Sequence, residues 1–371
     1  MSKKPQLHLV ILLTICLKLF CFPHHSLAEV AIVFLGTGTP IPDPKHSGPC
    51  LAILINGSPY LVDSGIGCVR KAVEARKLTL KRAGQLSKKQ PLDIQALKEV
   101  GEALAPVHFT KAFITHLHSD HTLGLADLLF TPWVSGVSGH RAVPLELYGP
   151  PGLAKMAQML HDAYDEDIRI RIQGAEKGNP TGHQVLVHEF QNEFEYRDER
   201  VQVTPFHVTH GDWNSKAYGY RFWIPNTNAQ PKSKSGISIV ISGDTSARPI
   251  QNKLGSQLMP PTALACQNCD ILIHEVYPAS FLNGKNLEER RYWETFHTST
   301  QELAKIANQS KPKLLILYHQ LYFGVTDEHL IKEIRTAGYA GQVISSRDLM
   351  LVLAKPSRAQ SPETNPFEVF F

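Results

Sequence analysis

The sequence has few cysteines, little excess of one charge and a single long apolar stretch, at its amino terminus. Six of its 371 residues are cysteine, and Cys16 and Cys21 belong to that amino-terminal stretch. The other four include one CxxC motif, Cys266–Cys269, without the second such pair that a zinc ribbon needs. We therefore expect a local disulfide or two simple thiols there. Pairing of Cys50 with Cys68 stays open.

The first 28 residues have the pattern of a secretory signal peptide. Two lysines precede a mostly apolar stretch from Leu7 to Phe22, and Ser26-Leu27-Ala28 provides small residues for cleavage before Glu29. An uncleaved membrane anchor is the alternative, but the stretch is short for a transmembrane helix and Lys18 interrupts it. We predict a periplasmic or secreted protein with no stable membrane span after cleavage.

Charge is nearly balanced once this segment is removed. The chain has 38 basic and 34 acidic residues, and cleavage removes Lys3, Lys4 and Lys18, which leaves 35 against 34. Nucleic-acid-binding domains usually present a basic surface, so this balance disfavours nucleic acid as a partner. A lysine-rich connection spans residues 74–106. It is typical of a solvated helical surface, and contact with an anionic substrate is the alternative.

Histidine is concentrated in one short stretch. His116, His118, Asp120 and His121 lie within six residues, between the apolar run 111–114 and a predicted helix. A strand-to-helix turn allows neighbouring side chains to converge on one point. Imidazole and carboxylate ligands suit zinc or a similar metal, and the offset between the two pairs favours two ions side by side. Ordinary surface histidines are the alternative, but such dense clustering is improbable by chance.

Several other residues of the same chemical types follow apolar, strand-like runs elsewhere in the chain. They are Asp63, His207, His210, Asp244, Glu275 and His319. The run before Asp63 is the second half of a predicted hairpin with an Asn-Gly turn. Asp63 can also cap a predicted helix over Val69–Lys77. The glycine-rich turn after the first predicted strand is not followed by a dinucleotide fingerprint, so we interpret it as a loop near the site.

The HxHxDH pattern of residues 116–121 resembles the metallo-β-lactamase superfamily. Phe34–Pro40, Tyr148–Leu153 and the pair Glu275 and His297 resemble its ribonuclease Z and arylsulfatase branch. The resemblance implies an α+β fold over residues 29–355, a four-layer αββα sandwich with two mixed β-sheets between helix layers. Periodicity alone indicates only a mixed α/β chain. Residues 356–371 are predicted to be a carboxy-terminal tail that is loose or docks on the domain.

The resemblance also implies two metal ions and a set of seven ligands. One ion is held by His116, His118 and His210, the other by Asp120, His121 and His319, and Asp244 bridges them. His210 is preferred to His207 because the ligand histidine of the family precedes a Gly-Tyr strand and often has glycine after it. We expect His207 to support the ligands, and Asp63 to orient a ligand histidine or the turn. Zn²⁺ is the predicted metal, with Mn²⁺ and Fe²⁺ as alternatives.

Asp120, Glu275 and His297 are the predicted catalytic residues. In the family the glutamate orients the histidine, and the histidine protonates the leaving oxygen or holds the phosphate. These roles are chemically reasonable, because a carboxylate can fix the tautomer of an imidazole that acts as a general acid. The alternative for His297 is an ordinary turn that caps the helix predicted at residues 300–309.

These residues predict an exported dinuclear-zinc hydrolase that cleaves a phosphodiester or aryl sulfate ester by attack of a metal-bound hydroxide. Residues 160–200 are acidic and mixed, where ribonuclease Z proteins often carry a glycine-, proline- and lysine-rich arm that clamps tRNA. A small anionic ester is therefore favoured over nucleic acid. The alternatives are a ribonuclease Z-like tRNA 3′-processing endonuclease and, from another class, a non-catalytic metal-binding protein. A homodimer stays open.

Overall fold

The computed structural model describes residues 30–86, 91–134, 136, 140–190, 194–211, 216–226, 235–249, 259–354 and 366–370. The predicted signal segment, residues 1–28, lies outside this part of the chain. Within the described ranges, no helix combines the length and the apolar composition needed to cross a membrane.

Two mixed β-sheets form the centre of the molecule. In chain order the strands are β1 (Val30–Gly36), β2 (Cys50–Ile55), β3 (Ser58–Val62), β4 (Lys111–Phe113), β5 (Leu145–Gly149), β6 (Val185–Glu189), β7 (Tyr196–Arg197), β8 (Gln202–Val208), β9 (Ala217–Pro225), β10 (Gly236–Ile241), β11 (Ile271–Val276), β12 (Leu314–Gln320), β13 (Val343–Ser345), β14 (Leu351–Ala354) and β15 (Phe367–Phe370). One sheet has the order β15-β14-β1-β2-β3-β4-β5-β6 and the other β13-β12-β11-β10-β9-β8-β7. Each sheet joins an antiparallel part to a parallel part, which the helical connections make possible.

The helices lie between these strands along the chain. They are α1 (Cys68–Gln85), α2 (Pro91–Ala103), α3 (Ser119–Thr122), α4 (Leu125–Phe130), α5 (Leu153–Ala163), α6 (Asp165–Gln173), α7 (Pro261–Cys266), α8 (Leu287–Phe296), α9 (Thr300–Ser310) and α10 (Asp327–Thr336). The helix predicted at 300–309 forms as α9, because Ser299 and Glu302 make a capping box and the helix buries an apolar stripe that includes Leu303 and Ile306. No helix was predicted at α8, whose polar composition hides its amphipathic pattern.

Among the described residues, the three largest apolar regions of the core define four layers. Between the sheets, the ring of Phe113 on β4 meets Tyr220 and Phe222 on β9 edge-on, at centroid distances of 5.6 and 5.7 Å. A second region lies between the eight-stranded sheet and α1, α2, α4 and α5. A third lies between the seven-stranded sheet and α7, α9 and α10. The predicted αββα sandwich is confirmed.

The described end of the predicted tail belongs to the eight-stranded sheet. Residues Phe367–Phe370 form β15 and pair antiparallel with β14. The guanidinium of Arg82 on α1 lies 5.3 Å from the centroid of the Phe370 ring. Of the two alternatives for the tail, docking on the domain is the one seen for these residues, so the sheet extends beyond residue 355.

All four cysteines of the described chain are paired. Cys50 on β2 is bonded to Cys68 at the start of α1, with 5.7 Å between the two Cα atoms. The CxxC motif closes on itself, with 4.8 Å between the Cα atoms of Cys266 and Cys269. Each of these cysteines is buried. The CxxC motif is therefore a local disulfide, the first of the two alternatives.

A buried arginine ties the loop before β5 to three neighbouring segments. Arg141 is 1% exposed, and its guanidinium donates to the carbonyl oxygens of Phe109, Leu128, Leu129 and Gly182. Five N–H groups make five hydrogen bonds, which uses every donor that the side chain has. Leu128 and Leu129 end α4, so the cation also meets the negative end of that helix. Burial lowers the pKa of Arg141 to about 10, which leaves it charged at neutral pH.

Candidate metal centre

The predicted ligands follow strands of both sheets and meet at one end of the sandwich. His116, His118, Asp120 and His121 follow β4 and enter α3, which begins at Ser119. The other three sit at or just after strand ends, with His210 after β8, Asp244 after β10 and His319 on β12. Strand ends converge there because β4 and β12 belong to the parallel parts of their sheets.

The first group of donors is His116, His118 and His210. Their ligand atoms lie within 4.8 Å of one another. His118 Nδ1 and His210 Nε2 are 3.1 Å apart, a close approach of two ring nitrogens from segments 92 residues apart. His118 is exposed, whereas His116 and His210 are buried. The group therefore opens toward solvent on one side.

The second group is Asp120, His121 and His319, again within 4.8 Å of one another. Asp244 lies between the groups. Its carboxylate oxygens are 3.3 Å from His121 Nε2 and 3.2 Å from His319 Nε2, and one of them is 4.0 Å from His116 Nε2. A two-oxygen ligand in this position can contact two ions at once, as expected of a bridging carboxylate.

Several inward-facing atoms of these residues have no hydrogen-bond partner among the described residues. They are His116 Nε2, Asp120 Oδ2, His121 Nε2, Asp244 Oδ1 and His319 Nε2, and all are buried. A buried polar atom without a partner costs about 1–3 kcal/mol, so five that converge on one space indicate a missing common partner. Imidazole nitrogens and carboxylate oxygens are the ligands that zinc takes. The residues present therefore fit a pair of such ions.

Burial keeps part of the histidine set uncharged. Removal from water lowers the pKa of His116 well below its usual value, and it lowers that of His210 to about 4. Neutral imidazole is the form that binds metal. Burial alone would raise the pKa of Asp244, but the neighbouring His319 and His121 bring it well below its usual value. The carboxylate is thus ready to act as an anionic ligand.

The outer ring nitrogens of the ligands are held by the surrounding structure. His319 Nδ1 donates to the Gly38 carbonyl at 2.6 Å, and His210 Nδ1 donates to the Phe296 carbonyl at 2.7 Å. His121 Nδ1 meets Asp63 Oδ2 at 2.8 Å. Each bond fixes the tautomer and aims Nε2 at the metal space. The glycine-rich turn after β1 is therefore part of the site, through Gly38.

Asp63 organises the central motif and caps no helix. Besides meeting His121, it accepts hydrogen bonds from the backbone N–H of Thr115 at 2.8 Å and from the Thr115 hydroxyl. Its φ of 61° lies in the left-handed region. The helix that follows begins at Cys68 with Gly67 at its N-cap and no side-chain cap. The additional capping role considered for Asp63 is therefore wrong, because the chain turns at Gly65–Gly67 before the helix starts.

Glu275 makes contacts that the sequence did not reveal. One of its oxygens accepts the backbone N–H of Thr245 at 3.2 Å and that of Thr298 at 3.0 Å. These are the residues next to Asp244 and His297, so a single carboxylate oxygen holds both loops together. The same oxygen lies 3.4 Å from His297 Nδ1. Burial, then the charge of Asp244, raises the pKa of Glu275 well above its usual value.

His297 faces the metal space and His207 does not. His297 is nearly buried, and its ligand atom lies within 4.8 Å of those of His210 and Asp244. The helix-capping role belongs to Ser299 instead. His207 is exposed on β8, where its ring lies 4.4 Å from that of Tyr218. The structure does not bring His207 to the ligands, because its side chain leaves the strand on the solvent side.

Comparison with known proteins agrees with this geometry. A family model described as the metallo-beta-lactamase superfamily matches residues 46–216. Over these residues the chain is similar to metallo-beta-lactamase superfamily domains. The matched residues include the central motif and His210, whereas Asp244 and His319 lie beyond them.

Relatives and solved structures extend the likeness over most of the chain. A ribonuclease Z of Mycobacterium bovis (strain BCG / Pasteur 1173P2) is 26% identical over 328 residues, which cover 88% of this chain and 99% of the relative. The fold is shared with the metallo-beta-lactamase fold protein YhfI from Bacillus subtilis, at a TM-score of 0.54, 16% identity, and coverage of 87% and 98%. It is also shared with human tRNase Z, short form, at a TM-score of 0.52, 21% identity, and coverage of 86% and 98%.

Proposed function

We propose that the protein is a two-metal hydrolase of phosphodiester bonds, with Zn²⁺ as the metal. The observation that carries the proposal is the pair of donor groups joined by Asp244, with five buried donor atoms that have no hydrogen-bond partner among the described residues. When bound, such an ion pair supplies a Lewis acid and makes water a nucleophile at neutral pH.

The chain's own residues orient the metal ligands and donate a proton to the leaving group. Asp63, Gly38 and the Phe296 carbonyl orient three ligand rings before any substrate arrives. In hydrolysis a water oxygen bonds to phosphorus, the bond to the leaving oxygen breaks, and that oxygen takes up a proton. His297 is the candidate proton donor because its ligand atom lies within 4.8 Å of those of His210 and Asp244. Glu275 fixes its loop through Thr298.

Two observations favour a phosphodiester as the substrate. They are the names of the relatives and the likeness of Glu275 and His297 to the ribonuclease Z elements. The relatives are named ribonuclease Z, and a structural neighbour is a tRNase Z. These names favour a phosphodiester over an aryl sulfate and support tRNA 3′ processing as the second candidate function. Against that candidate, α6 starts with Asp165, Glu166 and Asp167, in the region where a basic tRNA-clamping arm would be expected.

We also propose that the mature protein is exported. The signal-like pattern of residues 1–28 supports this, and so do the pairs Cys50–Cys68 and Cys266–Cys269, because disulfides persist in oxidising compartments. A fusion of residues 1–28 to a reporter active only after export tests it. Failure to export the reporter would contradict the proposal.

The test of function is a substrate panel with metal analysis of the purified protein. We expect two metal ions per chain, hydrolysis of bis(p-nitrophenyl) phosphate, and loss of that activity with chelator. The His207→Ala variant is the control, since its ring lies outside the site. Cleavage of precursor tRNA at comparable efficiency would favour the second candidate, and turnover of p-nitrophenyl sulfate alone would favour the sulfate ester. If the protein binds two metal ions but turns over none of these substrates, it is a non-catalytic metal-binding protein, and the enzyme proposal is overturned.

A further inference from the structure

The last turn of α8 touches the metal centre at two points. The Phe296 carbonyl holds His210, and the Phe296 ring stands edge-on to the His210 ring at 5.3 Å. One turn earlier, the ring of Trp293 lies 5.7 Å from that of His297. The helix ends there, and the backbone N–H of His297 donates to the Trp293 carbonyl, which leaves the two rings side by side.

Two more rings continue from Trp293, and they come from other segments. Phe323 follows the ligand His319 by four residues, and its ring is edge-on to Trp293 at 4.9 Å. Phe281, after β11, stacks on Phe323 at 3.7 Å and meets Trp293 edge-on at 5.2 Å. We call Trp293, Phe323 and Phe281 the aromatic wall.

The aromatic wall rests on a buried apolar base, and Lys285 Nζ lies 4.4 Å from the centroid of its Phe281 ring. It packs on Tyr277, Leu282 and Leu321, which are all buried. The three rings of the wall are themselves only partly buried. Partly exposed apolar rings beside a reactive site are typical of a binding surface. A surface held in place before binding loses little entropy when a ligand arrives.

The position of His297 sets which part of a substrate reaches this wall. The ligand atom of His297 lies within 4.8 Å of those of His210 and Asp244, and the ring of Trp293 lies 5.7 Å from the His297 ring. A leaving oxygen that takes its proton from His297 therefore lies near Trp293, and the group attached to that oxygen is within reach of the Trp293 ring. This step rests on the function proposed above.

We propose that the aromatic wall determines substrate specificity by binding an aromatic ring on the leaving group of the ester. Trp293 is the central residue because it contacts His297 and both phenylalanines. Two kinds of leaving group have such a ring, an aryl alcohol and a nucleoside. Both would stack on or against the wall in the geometries that aromatic pairs prefer.

The test compares small anions that differ only in the ring, as competitive inhibitors and in calorimetric titration of the metal-loaded protein. We expect phenylphosphonate to bind about tenfold more tightly than methylphosphonate, a difference that ring stacking and burial can supply. Trp293→Ala should remove this preference by weakening phenylphosphonate alone, and Trp293→Phe should keep most of it. Phe323→Ala, on another element, should reduce it too.

The control is Trp223→Ala on β9, a similarly half-buried tryptophan whose strand lies outside the donor groups. It should keep the phenyl preference. A second pair, uridine 5′-monophosphate against ribose 5-phosphate, identifies the source of the ring. A preference that Trp293→Ala abolishes in this pair points to a nucleoside leaving group, and one confined to the phenyl pair points to an aryl alcohol.

An unchanged phenyl-to-methyl ratio in Trp293→Ala and Phe323→Ala, or no ring preference in the wild type, would overturn the inference while leaving the hydrolase intact. Failure of the metal-loaded protein to bind any of these anions or to turn over any phosphodiester would instead overturn the proposed function.

Discussion

Arg141 and the metal centre are two buried polar sites that differ in whether their hydrogen bonds are complete. All five donors of Arg141 meet carbonyl oxygens, although no carboxylate is bonded to it. At the metal centre, atoms of His116, Asp120, His121, Asp244 and His319 converge without any such partner. Arg141 and these five residues of the metal centre are all buried.

The difference separates a structural role from a functional one. A buried cation whose donors are all used is part of the framework, and here it joins the end of α4 to the loops that precede β4, β5 and β6. Buried donors that face one another and remain unpaired cost free energy unless something binds between them. Functional sites commonly contain such unpaired groups, which reduce the stability of the fold. The following predictions test the comparison, from the largest expected effect to the smallest.

Replacing the bridging carboxylate should have the largest effect. Asp244→Ala removes the residue that contacts both donor groups, so we expect activity to fall by roughly 10³-fold or more and metal content to drop below two ions per chain. Metal analysis and kinetics on bis(p-nitrophenyl) phosphate measure this. His207→Ala should retain both values. An Asp244→Ala protein with two ions and more than a tenth of the activity would contradict the bridging role.

Replacing the buried arginine should affect folding rather than metal binding. Arg141→Met leaves several carbonyl oxygens buried without donors, and we expect a loss of about 3–5 kcal/mol in the free energy of unfolding. Urea unfolding of the metal-free protein measures this loss. The folded variant should still bind two ions. Loss of metal at unchanged stability would show that Arg141 acts on the site, and the comparison would fail.

A smaller effect is expected at the carboxylate behind the ligands. Asp63→Asn keeps a side chain that tolerates the left-handed backbone but weakens the acceptor for His121 Nδ1. We expect metal affinity to fall about 10- to 100-fold, the range for a residue that orients a ligand. Competition with a chromophoric chelator measures the affinity. Wild-type affinity in this variant would show that packing alone orients His121.

The smallest predicted effect concerns a half-buried carboxylate away from the metal centre. Burial alone would raise the pKa of Asp198, but the Tyr60 hydroxyl, the Arg200 backbone N–H and the Tyr196 hydroxyl bring it below its usual value. A carboxylate with a lowered folded-state pKa stabilises the protein above its unfolded-state pKa and loses that contribution as pH falls through the folded-state value.

Asp198→Asn should therefore lower the free energy of unfolding by about 1 kcal/mol near neutral pH, a figure already reduced for its partial exposure. The difference between variant and wild type should shrink as the pH falls below 4. Urea unfolding across this pH range measures it, with Glu195→Gln as an exposed control. A difference that stays constant with pH would assign the effect to packing.

The order of residues along the chain was enough to select the seven candidate ligands. His116, His118, Asp120 and His121 share one strand-to-helix turn, so local geometry alone brings them near one point. His210, Asp244 and His319 follow apolar strands, and strand ends of a layered fold meet at its edges. The structure places all seven together, and the predicted sandwich is confirmed.

Other features depended on contacts between residues far apart in the chain. His207 and His210 follow the same strand, and the direction in which each leaves it decided that only His210 reaches the site. Glu275 bonds the amides beside Asp244 and His297, and no spacing predicts that contact. Arg141 gives no sequence signal, since a lone arginine in a loop is usually exposed.

The spacing of histidine and aspartate residues thus indicated metal-dependent chemistry without knowledge of the fold, because metal-binding groups are particular side chains at short, regular spacings. Only the tertiary structure decided which of those side chains lack partners, what holds the others in place, and that the aromatic wall lies beside His297. Those properties depend on packing between distant segments, which the linear order of residues does not specify.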